Sequence, residues 1–185
     1  MERLTGLGYP KPGDLRLAPV RPEPHVFADD GRTPNNPLPL LIYRQVMRFD
    51  TGFDPAAQFE VLFESHGWKD SWRDSMYRFN HFHTCTHEVL GLARGRLLAQ
   101  FGGSKGREIE LGAGDAVVIP AGVGHKCVNA SRDLLIVGAY PEEGEYDEPR
   151  PREIGHQKAL SRIAQVPVPA TDPVQGDGGL LELWR

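Results

Sequence analysis

Between Met76 and Tyr140 the sequence is a train of short β-prone stretches, each stopped by a turn, and nothing else in the chain limits its fold as much. The stretches fall at Met76–His83, Glu88–Ala93, Arg96–Phe101, Arg107–Leu111, Ala116–Ile119, His125–Asn129 and Leu134–Tyr140. Gly95, Gly102-Gly103-Ser104-Lys105-Gly106, Gly112-Ala113-Gly114-Asp115, Pro120-Ala121-Gly122 and Ala130-Ser131-Arg132-Asp133 separate them. Short strands at such regular spacing predict a sandwich or a barrel. The composition agrees: 21 Gly and 16 Pro in 185 residues argue against a helical bundle, because both residues disrupt helix interiors. The length fits one domain with extensions, and no internal repeat marks a second copy.

The prolines divide the chain into a barrel and two arms. Residues 1–39 hold eight of them (Pro10, Pro12, Pro19, Pro22, Pro24, Pro34, Pro37, Pro39) and read as an irregular arm, lying over the barrel or over a partner subunit. Leu40–Phe49 reads as a first strand and opens the barrel region, 40–140. A helix over 54–66 follows, with Asp54 as N-cap, Pro55 as first helical residue and Gly67 as stop. Phe59, Leu62, Phe63 and His66 share its inner face, which should dock on the sheet, with His66 a half-buried edge residue. Only Pro55 and Pro120 interrupt the barrel region. Beyond Tyr140 the chain turns acidic (Glu142, Glu143, Glu145, Asp147, Glu148), which reads as a solvated loop. The C-terminal extension, 141–185, carries a short helix near His156–Ile163 and an extended end that packs Leu180, Leu181 and Trp184 onto the body.

Several function classes are disfavoured. The net charge is -4, and no basic stripe invites nucleic acid. No apolar run of about 18 residues suits a membrane span. The opening MERLTGLGYPKPGD lacks an apolar signal core, so a cytoplasmic location is expected. Cys85 and Cys127 are too few for a disulfide framework, and a bridge between them is not expected in that compartment. There is no phosphate loop, nucleophile elbow or glycosidase carboxylate pair, so chemistry should run through a metal.

His81-Phe82-His83-Thr84-Cys85-Thr86-His87-Glu88 is the segment that points to one. On a strand, His81 and His83 project from one face. Glu88, five residues beyond His83, reaches that face only if Thr84–His87 bulges or turns; on a straight strand His87 would take its place. We prefer Glu88. A further histidine, His125, opens a later strand, where alternation puts Cys127 and Asn129 on its face. Cys127 reads as a small buried hydrophobe. Tyr77 and Phe79 share parity with His81 and read as core or as site lining. Trp68 and Trp72 read as packing anchors.

These segments resemble the two motifs of the cupin superfamily. The first, G-x5-H-x-H-x3,4-E-x6-G, is matched by His81, His83, Glu88 and Gly95, with Ser75 in place of the leading glycine. The second, G-x5-P-x-G-x2-H-x3-N, is matched by Gly114, Pro120, Gly122, His125 and Asn129. The resemblance implies an all-β double-stranded β-helix, or jelly-roll barrel, with one packed helix and irregular arms. It implies that His81, His83, Glu88 and His125 hold one divalent transition metal: Fe, Mn, Ni, Co or Zn. Open positions on such an ion suit a catalytic centre more than a closed structural site. The expected function is a dioxygenase acting on a small polar molecule. A non-redox isomerase and a ligand-binding or sensor cupin are the alternatives. A homodimer is expected, with no nucleic-acid or membrane partner.

Overall fold

The computed structural model describes residues 7–142, 145–147 and 153–185. Its strands are β1 (Glu23–Phe27), β2 (Asn36–Tyr43), β3 (Trp68–Asp74), β4 (Glu88–Arg94), β5 (Arg96–Phe101), β6 (Arg107–Gly112), β7 (Ala116–Ile119), β8 (His125–Ala130) and β9 (Leu135–Pro141). Six form a sheet in the order β1-β2-β7-β4-β9-β3, and three form a sheet in the order β6-β5-β8. Every pairing is antiparallel, and the two sheets face each other as a jelly-roll barrel.

Alternation along the strands sorts the apolar residues into two cores. Leu40, Ile42, Leu90, Leu92, Val117, Ile119 and Ile136 point into the barrel and meet Leu97, Ala99 and Phe101 of the smaller sheet. Their neighbours Leu41, Tyr43, Val89, Ala93, Val118, Val137 and Ala139 point outward. There they pack under Phe59, Leu62 and Phe63 of α1 (Pro55–Ser65) and under Leu180 and Trp184. The middle of the larger sheet is thus covered on both faces, so β4, β7 and β9 read as nearly continuous apolar runs. Two further helices are short: α2 (His156–Ile163) and α3 (Leu180–Leu183). The first lays Ala159 and Ile163 on Phe82 and Ala121, beside the histidine segment. No helix among the described residues is long and apolar enough to cross a membrane.

Helix α1 forms where its caps predict, with the Asp54 carboxylate accepting from the Ala56 N–H. The turn glycines Gly95, Gly114 and Gly122 all have positive φ. Four expectations are corrected. The first strand is Asn36–Tyr43, not Leu40–Phe49, and the chain turns at Gln45 (φ 49). Pro37 and Pro39 fit because β7 pairs only with Leu41–Tyr43, beyond both prolines. The N-terminal arm is also less irregular than expected, since β1 adds an edge strand carrying Pro24. Met76–His83 is not a strand: it is tied to β8 by the isolated bridge His81–His125 and by the Cys127 N–H, which donates to the Tyr77 carbonyl at 2.7 Å. The strand before it, β3, runs from Trp68, with a bulge between Lys69 and Trp72 where Asp70 has φ 54. The C-terminal end is helical at Leu180–Leu183 rather than wholly extended. Of the acidic stretch, Glu143 and Glu148 lie outside the described residues, as do residues 1–6.

Candidate metal centre

The histidine segment crosses the barrel mouth and is anchored there by its backbone. The His81 N–H donates to the His125 carbonyl at 3.2 Å, and the His125 N–H donates to the His81 carbonyl at 2.9 Å. This pairing sets two imidazoles side by side, with ring centroids 4.1 Å apart. His83 follows two residues later. The chain then bends at Thr84–Cys85, which returns Glu88 to the inward parity of Leu90 and Leu92 on β4. One ligand atom from each of His81, His83 and His125 lies within 4.8 Å of the others. Glu88 Oε2 stands 3.1 Å from His83 Nε2 and 3.3 Å from His125 Nε2. All four side chains are buried.

His87 points elsewhere. Its Nδ1 accepts from the Ala121 N–H at 3.0 Å, its Nε2 donates to the Pro167 carbonyl at 3.2 Å, and its ring lies 4.7 Å from Trp184. Burial pushes its pKa down to about 4, in keeping with a neutral ring that accepts at one nitrogen. The geometry therefore brings Glu88 into the cluster and leaves His87 out.

Backbone carbonyls orient the three site imidazoles. Nδ1 faces the Phe79 carbonyl in His81 (3.4 Å), the Val123 carbonyl in His125 (3.0 Å) and the Asp147 carbonyl in His83. A proton donated there leaves Nε2 as a lone pair, the form in which histidine ligates metals. For His83 and His125 that lone pair faces a carboxylate oxygen, an arrangement that only a proton or a cation between them can stabilise. Burial pushes His81 down to about 3, helped by His125 and His83, so it is neutral. Burial also works against protonating His83, but the Glu88 charge outweighs it and raises the pKa. Burial alone would push the Glu88 carboxyl up; the His83 and His125 imidazoles beside it hold it well below the usual range. An ionised carboxylate facing imidazole lone pairs fits a divalent cation with N and O ligands.

A cavity of about 620 Å³ opens above these four side chains. Its walls mix aromatic and apolar side chains (Trp72, Met76, Tyr77, Leu90, Tyr140 and Tyr146) with polar and charged ones, among them Lys69, Arg73, Asp74 and Glu142. The Trp72 indole N–H donates to the Tyr140 hydroxyl at 2.9 Å. Burial and the Glu88 charge push the Tyr140 pKa well up, so the phenol keeps its proton. Gly138 permits this wall, since a Cβ there would sit 2.1 Å from the Trp72 ring. Tyr140 meets His83 edge-on at 5.8 Å and Tyr146 at 5.2 Å.

The other candidates sort as follows. Trp68 is a buried anchor as expected, and Trp72 packs against the barrel core while also lining the cavity. Tyr77 and Phe79 are not core: they stack at 4.8 Å and are 45% and 37% exposed, because their segment has left the sheet. Cys127 is buried among apolar neighbours, and both cysteines are free thiols. Asn129 does not share the His125 face. A bulge where β8 meets Leu98 and Ala99 breaks the alternation, and Asn129 is exposed. Ser75 is not among the positive-φ residues, so no glycine is needed where the first motif usually has one.

Four residues at the site were not legible as such. Trp72, Tyr140 and Tyr146 line the cavity, and Asp147 is not simply a solvated acid. Its carboxylate accepts from the Thr84 N–H (2.8 Å), the Cys85 N–H (3.0 Å) and the Thr84 hydroxyl, clamping the bend that delivers Glu88. Tyr140 had a signal, because β9 alternation from the inward Ile136 points residue 140 inward too. Asp147 had none.

No protein-family model matches the sequence. It is 43% identical over 162 residues to the uncharacterised protein YjlB of Bacillus subtilis, covering 86% of this chain and 94% of that protein. Among solved structures it is similar to acireductone dioxygenase from Bacillus anthracis, which has a cadmium ion in its active centre. That match has 19% identity and a TM-score of 0.35, over 47% of this chain and 60% of that one. It is also similar to Bacillus subtilis oxalate decarboxylase, a protein with Mn(II) centres (18% identity, TM-score 0.38). There it covers 63% of this chain and 28% of that one.

Proposed function

Because the chain belongs to the family of YjlB and carries the cupin barrel with its paired histidine motifs, we propose that it is a metal-dependent enzyme of the dioxygenase type. Its substrate is a small molecule. His81, His83, Glu88 and His125 would hold one divalent transition metal. The observation that carries this reading is their convergence, with imidazole tautomers fixed by backbone carbonyls, at the floor of a cavity of about 620 Å³. When bound, the ion supplies Lewis acidity and, in a redox-active form, chemistry with O2.

The chain's own residues supply the rest. The aromatic side chains of the wall pack against an organic substrate, and the polar and charged ones beside them can orient it. Tyr140 holds a proton at the inner wall. The free thiols of Cys85 and Cys127 suit a reducing compartment and support a cytoplasmic location. The resemblance to small one-barrel cupins supports a homodimer.

The test is anaerobic loading with Fe(II), Mn(II), Co(II), Ni(II) or Zn(II), then O2 uptake with a broad substrate panel. Uptake by a redox-active form is expected. Failure of every such form would overturn the oxygenase reading. Turnover by the zinc form without O2 would favour an isomerase instead, and binding without turnover a sensor.

A further inference from the structure

One ring of the cavity wall stands beside a candidate ligand and is fixed there by the same bonds that orient that ligand. Tyr146 lines the cavity and is 55% exposed. Its ring centroid lies 5.5 Å from that of His83, with the planes 46° apart, and 5.2 Å from that of Tyr140. A ring this near a ligand imidazole is within reach of a molecule held at the four ligands.

The placement does not wait for a substrate. Asp147, the next residue, accepts through its carboxylate from the Thr84 N–H at 2.8 Å, the Cys85 N–H at 3.0 Å and the Thr84 hydroxyl, and its carbonyl faces His83 Nδ1. These bonds anchor the backbone beside residue 146 to the histidine segment itself. A ring positioned in advance costs less ordering on binding than one that must be immobilised. The site has a second such ring, since Tyr77 also lines the cavity and meets His81 edge-on at 5.1 Å. The two cations of the wall are already engaged. Lys69 lies 2.8 Å from Glu142, and Arg73 is bound to Glu60 and Asp54. Beside the histidines the wall therefore offers flat aromatic surface more than an open cationic group.

We propose that Tyr146 is a specificity-determining residue that packs against the ring of a flat, conjugated substrate, with Asp147 as its positioning residue. The proposal rests on the metal-site reading above and names the class of substrate for that site.

The experiment uses the full-length protein loaded with Co(II), under anaerobic conditions, and two probes that each chelate a metal through two oxygens. One, 4-nitrocatechol, carries a flat ring; the other, acetohydroxamate, carries none. Affinities are read from visible absorption, and the wild type should bind both. Tyr146→Ala should weaken 4-nitrocatechol binding about tenfold while leaving acetohydroxamate and Co(II) affinity within about twofold of wild type. Tyr146→Phe keeps the ring and should bind both probes as the wild type does. A purely structural role would instead move both probes, or Co(II) affinity, together. Circular dichroism and the melting temperature check that each variant is folded. The assignment is wrong if Tyr146→Ala binds 4-nitrocatechol like wild type, if it loses both probes alike, or if Tyr146→Phe loses the ring probe as alanine does. A wild type that holds Co(II) but does not bind 4-nitrocatechol also overturns it. A wild type that takes up no Co(II) is a failure of the metal-site reading, and the proposal falls with it.

Discussion

Replacing His87 with alanine separates its role from that of Glu88, one residue away. His87 is fully buried, and both ring nitrogens are engaged. Truncation orphans the Ala121 N–H, a loss of about 1–3 kcal/mol for a buried donor. It also removes the donor to Pro167 and leaves a void beside Trp184, each on the order of 1 kcal/mol. The total is about 3–5 kcal/mol, which in a domain of this size lowers the melting temperature by about 6–20 °C. Asparagine should recover part of the loss, since its Oδ1 can stand near the Nδ1 position and accept from Ala121. Yet His87→Ala should bind metal with wild-type stoichiometry, because the ring faces away from the other histidines. The assay is thermal unfolding by circular dichroism together with metal analysis of the dialysed protein. A His87→Ala protein that is stable but empty would refute the argument that the Thr84–Cys85 bend turns Glu88 inward.

Other outcomes follow from the same contacts. Asp147→Ala releases the Thr84 and Cys85 amides, so metal affinity should fall about tenfold, read by chelator competition. Arg73→Met strips the guanidinium that bridges Glu60 (2.6 and 2.8 Å) and Asp54 (2.5 Å), leaving two buried carboxylates without their cation. Because Arg73 is partly exposed, the expected loss is about 2–3 kcal/mol, below that of a fully buried pair, measured by urea denaturation. Size-exclusion chromatography should return a dimer, and a 20.5 kDa monomer would end the homodimer proposal.

How much of this was legible depends on whether the cause lay in local sequence. The bounds of β7 and α2 coincide with the expected ones because short apolar runs and helix-compatible segments are local signals. Helix α1 was marked by Asp54, Pro55 and Gly67, residues whose backbone chemistry admits few alternatives. Met76–His83 has strand-like composition but forms an isolated bridge at His81 and no ladder, and pairing is not written in a single segment. The reverse holds for β3: Lys69, Asp70, Arg73 and Asp74 disguise an edge strand whose bulge disrupts alternation. At the site, the spacing of His81, His83 and Glu88 was enough to demand a bend. Tyr140 depended on knowing which face of β9 looks inward. Asp147 clamps that bend from 63 residues away, a distance at which sequence pattern carries no signal.

The central claim is that His81, His83, Glu88 and His125 form one metal site. Metal analysis of the purified protein beside His81→Ala, His83→Ala, Glu88→Gln and His125→Ala tests it most directly. The account predicts one divalent transition metal per chain in the wild type and sharply reduced occupancy in all four variants, each still folded. A folded wild type that takes up none of Fe(II), Mn(II), Co(II), Ni(II) or Zn(II), or variants that hold metal as the wild type does, would contradict it.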